Sequence, residues 1–92
     1  MVEVSEPVLD YAQALVRETR ESSATLMGLS PRAAISLVVM AKAWAYIKGR
    51  RYLFPEDLAT VFPYVARHRI VLQDKLDKDH WINQLVNTTT KI

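Results

Sequence analysis

The chain has 92 residues, half of them apolar, with a formal charge of +2 and no cysteine. That allows one small domain with a modest core and excludes a disulfide framework or a thiolate metal site. The charge is too small to imply a polyanionic partner by itself. Glycine occurs only at Gly28 and Gly49, so the chain contains no glycine-rich phosphate loop. Its start, Met1-Val2-Glu3-Val4, lacks the basic and apolar runs of a signal peptide. With the lack of cysteine, this points to a cytoplasmic setting.

The first helix is expected from about Glu6 to Ser22. Ser5 stands at the cap and Pro7 in the first turn, with Glu6 and Asp10 near the positive end of the dipole. Val8, Leu9, Ala12, Leu15, Val16 and Thr19 form one apolar stripe at helical spacing. The link from Ser22 to Leu29 follows, and its Leu26 and Met27 are expected to tuck onto the core. Leu29 stands where it could staple onto Ala34.

The central element is Ser30 to Gly49, SPRAAISLVVMAKAWAYIKG. Ser30 suits an N-cap, Pro31 the first helical position and Gly49 a left-handed stop. Between them the helix is apolar on almost every side, which predicts a core helix buried all round. At ~17 residues with Lys42 near its middle, it is too short and too charged for a bilayer span.

Arg50 to Phe54 reads as extended. Pro55 opens a third helix with Glu56 and Asp57 in its first turn. Phe54 is an odd cap and is expected to be buried instead. Leu58, Val61, Phe62 and Val65 supply the inner face, and Pro63 predicts a break into two short pieces. Ile70-Val71-Leu72 is β-prone and is expected to pair with Tyr52-Leu53 as a minimal two-strand ribbon. Gln73 to Lys78 is polar. A last helix, capped near Asp77, presents Trp81, Ile82, Leu85 and Val86, and Asn87 to Thr90 should fray. The fold class is all-α, a small helical bundle.

Catalytic constellations are scarce. His68 and His80 have no metal-ligand spacing, no serine sits in a GxSxG turn, and the carboxylates stand mostly at helix starts. A self-contained enzyme is not expected. The residue that stands out is Arg32, in the first turn of the central helix. Acids are the rule there, whereas an arginine's planar fork beside the positive dipole end suits a phosphate. Arg50, Arg51, Arg67, His68 and Arg69 invite a second reading as a basic patch for nucleic acid. Interleaved Glu56, Asp57, Asp74 and Asp77 favour ion pairing and capping instead, and His68 is expected to pack at a helix C-terminus.

Gly28-Leu29-Ser30-Pro31-Arg32-Ala33, then Ala41-Lys42-Ala43-Trp44-Ala45, Gly49-Arg50, Pro55-Glu56-Asp57 and His68-Arg69 occur in an order and spacing that resembles the C-terminal lid of MoxR-type AAA+ ATPases. Thr19-Arg20 also fits. The resemblance runs from about Pro7 to Leu72 and is looser beyond. It implies that residues 1–92 form a single helical lid, a fragment of a larger ATPase whose nucleotide-binding core is missing. It assigns Arg32 the sensor-2 role, a catalytic and ATP-binding contact to the γ-phosphate, with action in cis or in trans left open. ATP and Mg2+ would be held by the parent protein. Partners would be its own AAA+ core and neighbouring subunits of a ring, by resemblance a hexamer, together with client proteins that are remodelled, matured or loaded with metal cofactors. Phe54 replaces a usual hydroxyl residue before the Pro-Glu-Asp motif and Arg51 a common acid; the Walker A and Walker B segments are absent. A stand-alone helical module for DNA or a protein partner is the alternative.

Overall fold

A computed structural model describes residues 2–73 and 77–89. Along these the chain forms α1 (Glu6–Glu21), β1 (Thr25–Met27), α2 (Ala33–Ile47), α3 (Pro55–Ala66), β2 (Val71–Leu72) and α4 (Lys78–Thr88). It is a four-helix assembly with one two-stranded antiparallel ribbon. Among the described residues, no helix is long and apolar enough to cross a membrane.

Helix α1 buries Val8, Tyr11, Ala12, Leu15, Val16 and Thr19, spaced i, i+3, i+4, i+7, i+8, i+11. Leu9 lies one position round the helix and is 39% exposed, so Tyr11 takes the inward place expected of it. Ser5 does stand at the cap, but its hydroxyl makes no capping bond. Its carbonyl accepts from the Leu9 amide at 3.1 Å.

Helix α2 begins at Ala33, three residues later than Ser30, because Ser30 to Arg32 form a tighter turn. The Ala33, Ala34 and Ile35 amides donate to the Ser30, Pro31 and Arg32 carbonyls, an i→i+3 pattern. At the far end Gly49 has φ 76°. Its amide donates to the Tyr46 carbonyl and the Arg50 amide to the Ala45 carbonyl, both at 2.9 Å, which is a Schellman stop. A Cβ on Gly49 would meet nothing within 4 Å, so Gly49→Ala isolates backbone strain. It should cost about 1 kcal/mol and lower the thermal midpoint by roughly 4–8 °C, read by circular dichroism.

The expectation that α2 is buried on all sides does not hold. Its buried residues are Ala33, Ala34, Leu37, Ala41 and Ala45, a narrow stripe of mostly small side chains that packs on α3 and α1. Ile35, Val39, Tyr46 and Ile47 are each more than 60% exposed. Apolar residues all round state that a helix requires cover, not what supplies it. Within the described residues, α1 and α3 cover one side only.

Helix α3 does not break at Pro63. The Arg67 amide donates to the Pro63 carbonyl at 2.9 Å, and the helix runs through to Ala66. An interior proline costs about 3 kcal/mol. Leu58, Val61, Phe62, Val65 and Ala66 are all buried on this one helix, and each large side chain contributes roughly 1.5–3 kcal/mol. Tertiary packing outweighs the proline. Phe54 is 45% exposed rather than buried, while Leu53 at 3% goes inward; consecutive residues of extended chain face opposite ways.

The ribbon exists, but its partner differs from the one expected. Val71–Leu72 pairs with Thr25–Met27, in the register Thr25↔Leu72 and Met27↔Val71 with an irregularity between. Tyr52 instead bridges to Glu3. Joining β1, Leu26 and Met27 are held at the surface, 67% and 62% exposed, rather than on the core. In α4 the Asp77 carboxylate accepts from the His80 amide at 3.2 Å, and Ile82, Leu85 and Val86 are buried as expected. The helix persists through Thr88, where the Thr88 and Thr89 hydroxyls donate to the Leu85 carbonyl. Asp74 and Thr90 lie outside the described residues.

Candidate functional site at the start of helix α2

Thr19 lies in the last turns of α1 with 0% exposure, an unusual place for a polar side chain. Both hydroxyl functions are used. Its O–H donates to the Val16 carbonyl at 2.6 Å, and its oxygen accepts from the Leu29 amide at 2.9 Å. Gly28 presses on the same turn: a Cβ there would come within 2.4 Å of the Thr19 carbonyl oxygen and 2.8 Å of the Arg20 Cα. Only glycine allows that approach. Leu29 is buried at 2%; Ser30, Pro31 and Arg32 then emerge at the surface.

Arg32 has helical dihedrals at the cap position of α2 and is exposed. Arg17 and Arg20 of α1, with Gln13, Val16, Pro31 and Ala34, line a pocket of about 200 Å³ beside this turn. Arg17 forms an exposed i, i+4 pair with Glu21 at 3.8 Å, a contact of little energetic weight. Neither Arg20 nor Arg32 pairs with another described acid. The fold thus brings Arg20 to the neighbourhood of the turn that carries Arg32, at the positive end of the α2 dipole. The amides of Ala33 to Ile35 are already engaged within the turn. An anion here would be met by guanidinium groups rather than by a row of free amides.

The five basic residues after α2 do not act as one patch. Arg50 donates to the buried Asp57 carboxylate at 2.6 Å, as the interleaved acids suggested, whereas Arg67 pairs at 3.0 Å with Asp79, an acid outside the expected set. Asp57, 1% exposed, also accepts from the Phe54 amide at 2.9 Å. It therefore caps α3 and anchors the preceding loop, whose Arg50 guanidinium lies 5.3 Å from the Phe54 ring centroid. His68 is exposed in the turn after α3 rather than packed. Among the described residues, no group of three or more histidines and carboxylates is placed to hold a metal.

One bond and one residue escaped sequence reasoning. Thr19 reads as part of the apolar stripe of α1 and, with Arg20, as a match to the lid pattern, but nothing in the sequence gives its bond to the Leu29 amide across the loop. Tyr11 lies outside the stripe expected for α1, yet it is fully internal and its hydroxyl lacks a partner among the described residues. Burial first, and the nearby Glu56 charge second, push its phenol above the usual 10.0.

The AAA lid domain family matches residues 17–88. Chaperone MoxR1 of Mycobacterium tuberculosis is 31% identical over 99 aligned residues, which cover 92% of this chain and 26% of that protein. Protein MoxR of Methylorubrum extorquens is 46% identical over 46 residues, 50% of this chain and 13% of that protein. In the crystal structure of a candidate ATPase from Cytophaga hutchinsonii, a 31%-identical region superposes with a TM-score of 0.87, covering 97% of this chain and 31% of that one. The chain thus spans about a quarter to a third of relatives that it matches almost end to end. By order of motifs, helical architecture and these likenesses, the chain belongs to the AAA lid domain family and is the lid of a MoxR-family AAA+ ATPase.

Proposed function

We propose that this lid works as the nucleotide-sensing part of a longer ATPase and that Arg32 is its sensor-2 residue. The observation that carries the reading is the placement of an exposed arginine at the dipole's positive end, on a turn anchored to α1 through Thr19 and Gly28. An arginine so held presents two N–H donors to a phosphoryl oxygen pair and adds positive charge where negative charge develops. The residues fit a phosphate contact but not a magnesium site, since the described carboxylates do not cluster. ATP and Mg2+ would therefore be held by the missing nucleotide-binding core, with this lid supplying Arg32 to its own or a neighbouring subunit. The decisive test is ATP turnover by the assembled protein with and without Arg32→Ala.

The outward face of α2 supports the rest of the reading. Leu9, Ile35, Val38 and Val39 line a groove of about 270 Å³ against α1, and Met40, Trp44, Ile47 and Tyr64 line another of about 310 Å³ against α3. Exposed apolar side chains gathered on one helix in this way mark an interaction surface. We assign it to the protein's own AAA+ core and to the adjoining subunit of a cytoplasmic ring, hexameric by family, that remodels or matures client proteins or inserts their metal cofactors. Ile35→Asp with Val39→Asp should leave the helical content of the lid unchanged, because both side chains are more than 60% exposed. The same pair should shift the full-length protein to smaller species in sedimentation. An unaltered assembly would remove this face from the interface.

A further inference from the structure

We infer that Thr19 is the positioning residue for Arg32: its hydroxyl and the close seat of Gly28 make α1 and the arginine-bearing turn one rigid body. This rests on the sensor role proposed above for Arg32 and adds the device that aims it. Between the anchor at Leu29 and the guanidinium stem there is little freedom. The Leu29 amide is tied to Thr19 Oγ1 at 2.9 Å and its side chain is 2% exposed. Pro31 restricts its own φ, and the Ser30 and Pro31 carbonyls are already bonded to Ala33 and Ala34.

The hydroxyl is itself held, because its proton goes to the Val16 carbonyl at 2.6 Å and leaves the oxygen lone pairs facing Leu29. On the other side, Gly28 brings the loop to within contact of the Thr19 and Arg20 backbone. A tilt of α1 is thus carried to Arg32 without slack. The buried Leu29 amide finds its acceptor in the Thr19 hydroxyl. A valine there would fill the same volume and leave a buried N–H without a partner.

Displacing a catalytic group by about 1 Å can cost on the order of a hundredfold in rate. The test is ATP turnover by the full-length assembled ATPase, comparing Arg32→Ala, Thr19→Val, Thr19→Ser and the Arg32→Ala/Thr19→Val double variant. Thr19→Val should lower kcat on the order of tenfold to a hundredfold, Thr19→Ser should restore most of it, and the double variant should be no slower than Arg32→Ala alone. Gly28→Ala, which lifts the turn while keeping the hydroxyl, should reproduce the Thr19→Val loss, and it supplies the answer if Thr19→Val does not assemble. A fall with Arg32→Ala but native turnover with Thr19→Val, or multiplicative losses in the double variant, would overturn the positioning role and leave the sensor role standing. Native turnover with Arg32→Ala would overturn both.

Discussion

Asp57→Ala is expected to destabilise the lid by about 3 kcal/mol, the largest stability effect of any single polar substitution among the described residues. Its side chain is 1% exposed and serves two partners at once, the Arg50 guanidinium at 2.6 Å and the Phe54 amide at 2.9 Å. Removing it leaves the Phe54 amide at the start of α3 without its acceptor. It also strips Arg50 of its counter-charge, although Arg50, 31% exposed in its side chain, can recover part of the loss by turning to water. For a domain this small, the thermal midpoint should fall by roughly 12–24 °C. Asp57→Asn separates the two functions, since a carboxamide oxygen can still accept from the Phe54 amide. It should cost about half as much. Equal losses for both variants would mean that the ion pair, not the cap, carries the energy. Because the carboxylate is shielded, the gap between native and variant stability should change little between low and high salt.

Arg32→Ala is expected to lower ATP turnover by the assembled protein on the order of a hundredfold. The argument is electrostatic. An arginine at the start of α2 goes against the usual preference for acids near a positive dipole end, so it carries a small local cost that a phosphate contact would offset. Pairing with a phosphoryl group grows stronger as charge develops in the transition state, so the loss should fall on kcat more than on KM. Arg32→Lys keeps the charge but gives up the planar fork and should recover only part of the rate. The lid's melting curve should be unaffected by either change, because Arg32 is exposed and pairs with no other described acid. A loss confined to KM would make Arg32 a binding contact and not a sensor of the reacting phosphate.

These two effects differ in how far the sequence foretold them. Arg32 is conspicuous as a base where acids belong, directly after Ser30-Pro31, so it can be singled out without a structure. Asp57 reads as an acid suited to the dipole of α3 and as one of several that could neutralise the nearby bases, with no single partner named. That it also neutralises Arg50, seven residues earlier, depends on the Schellman turn at Gly49 bending the chain back across the start of α3. Thr19 is a similar case, since its partner Leu29 is ten residues away across a loop that no periodicity describes.

From the sequence alone came whatever depends on neighbours within a turn or two: the helical character of four stretches, most of the inward stripes of α1, α3 and α4, the Gly49 stop, the Asp77 cap and the order of motifs that marks the lid family. Local steric and hydrogen-bonding preferences act over that range and leave their mark residue by residue. The tertiary structure decided the rest. It ran α3 straight through Pro63, because buried Phe62 and its neighbours outweigh one lost hydrogen bond. It gave Val71–Leu72 the strand at Thr25–Met27 rather than Tyr52-Leu53, since pairing between distant segments is set by where the helices deliver them. It left one side of α2 bare as well, because hydrophobicity specifies that a surface leaves water and carries no information about which partner covers it.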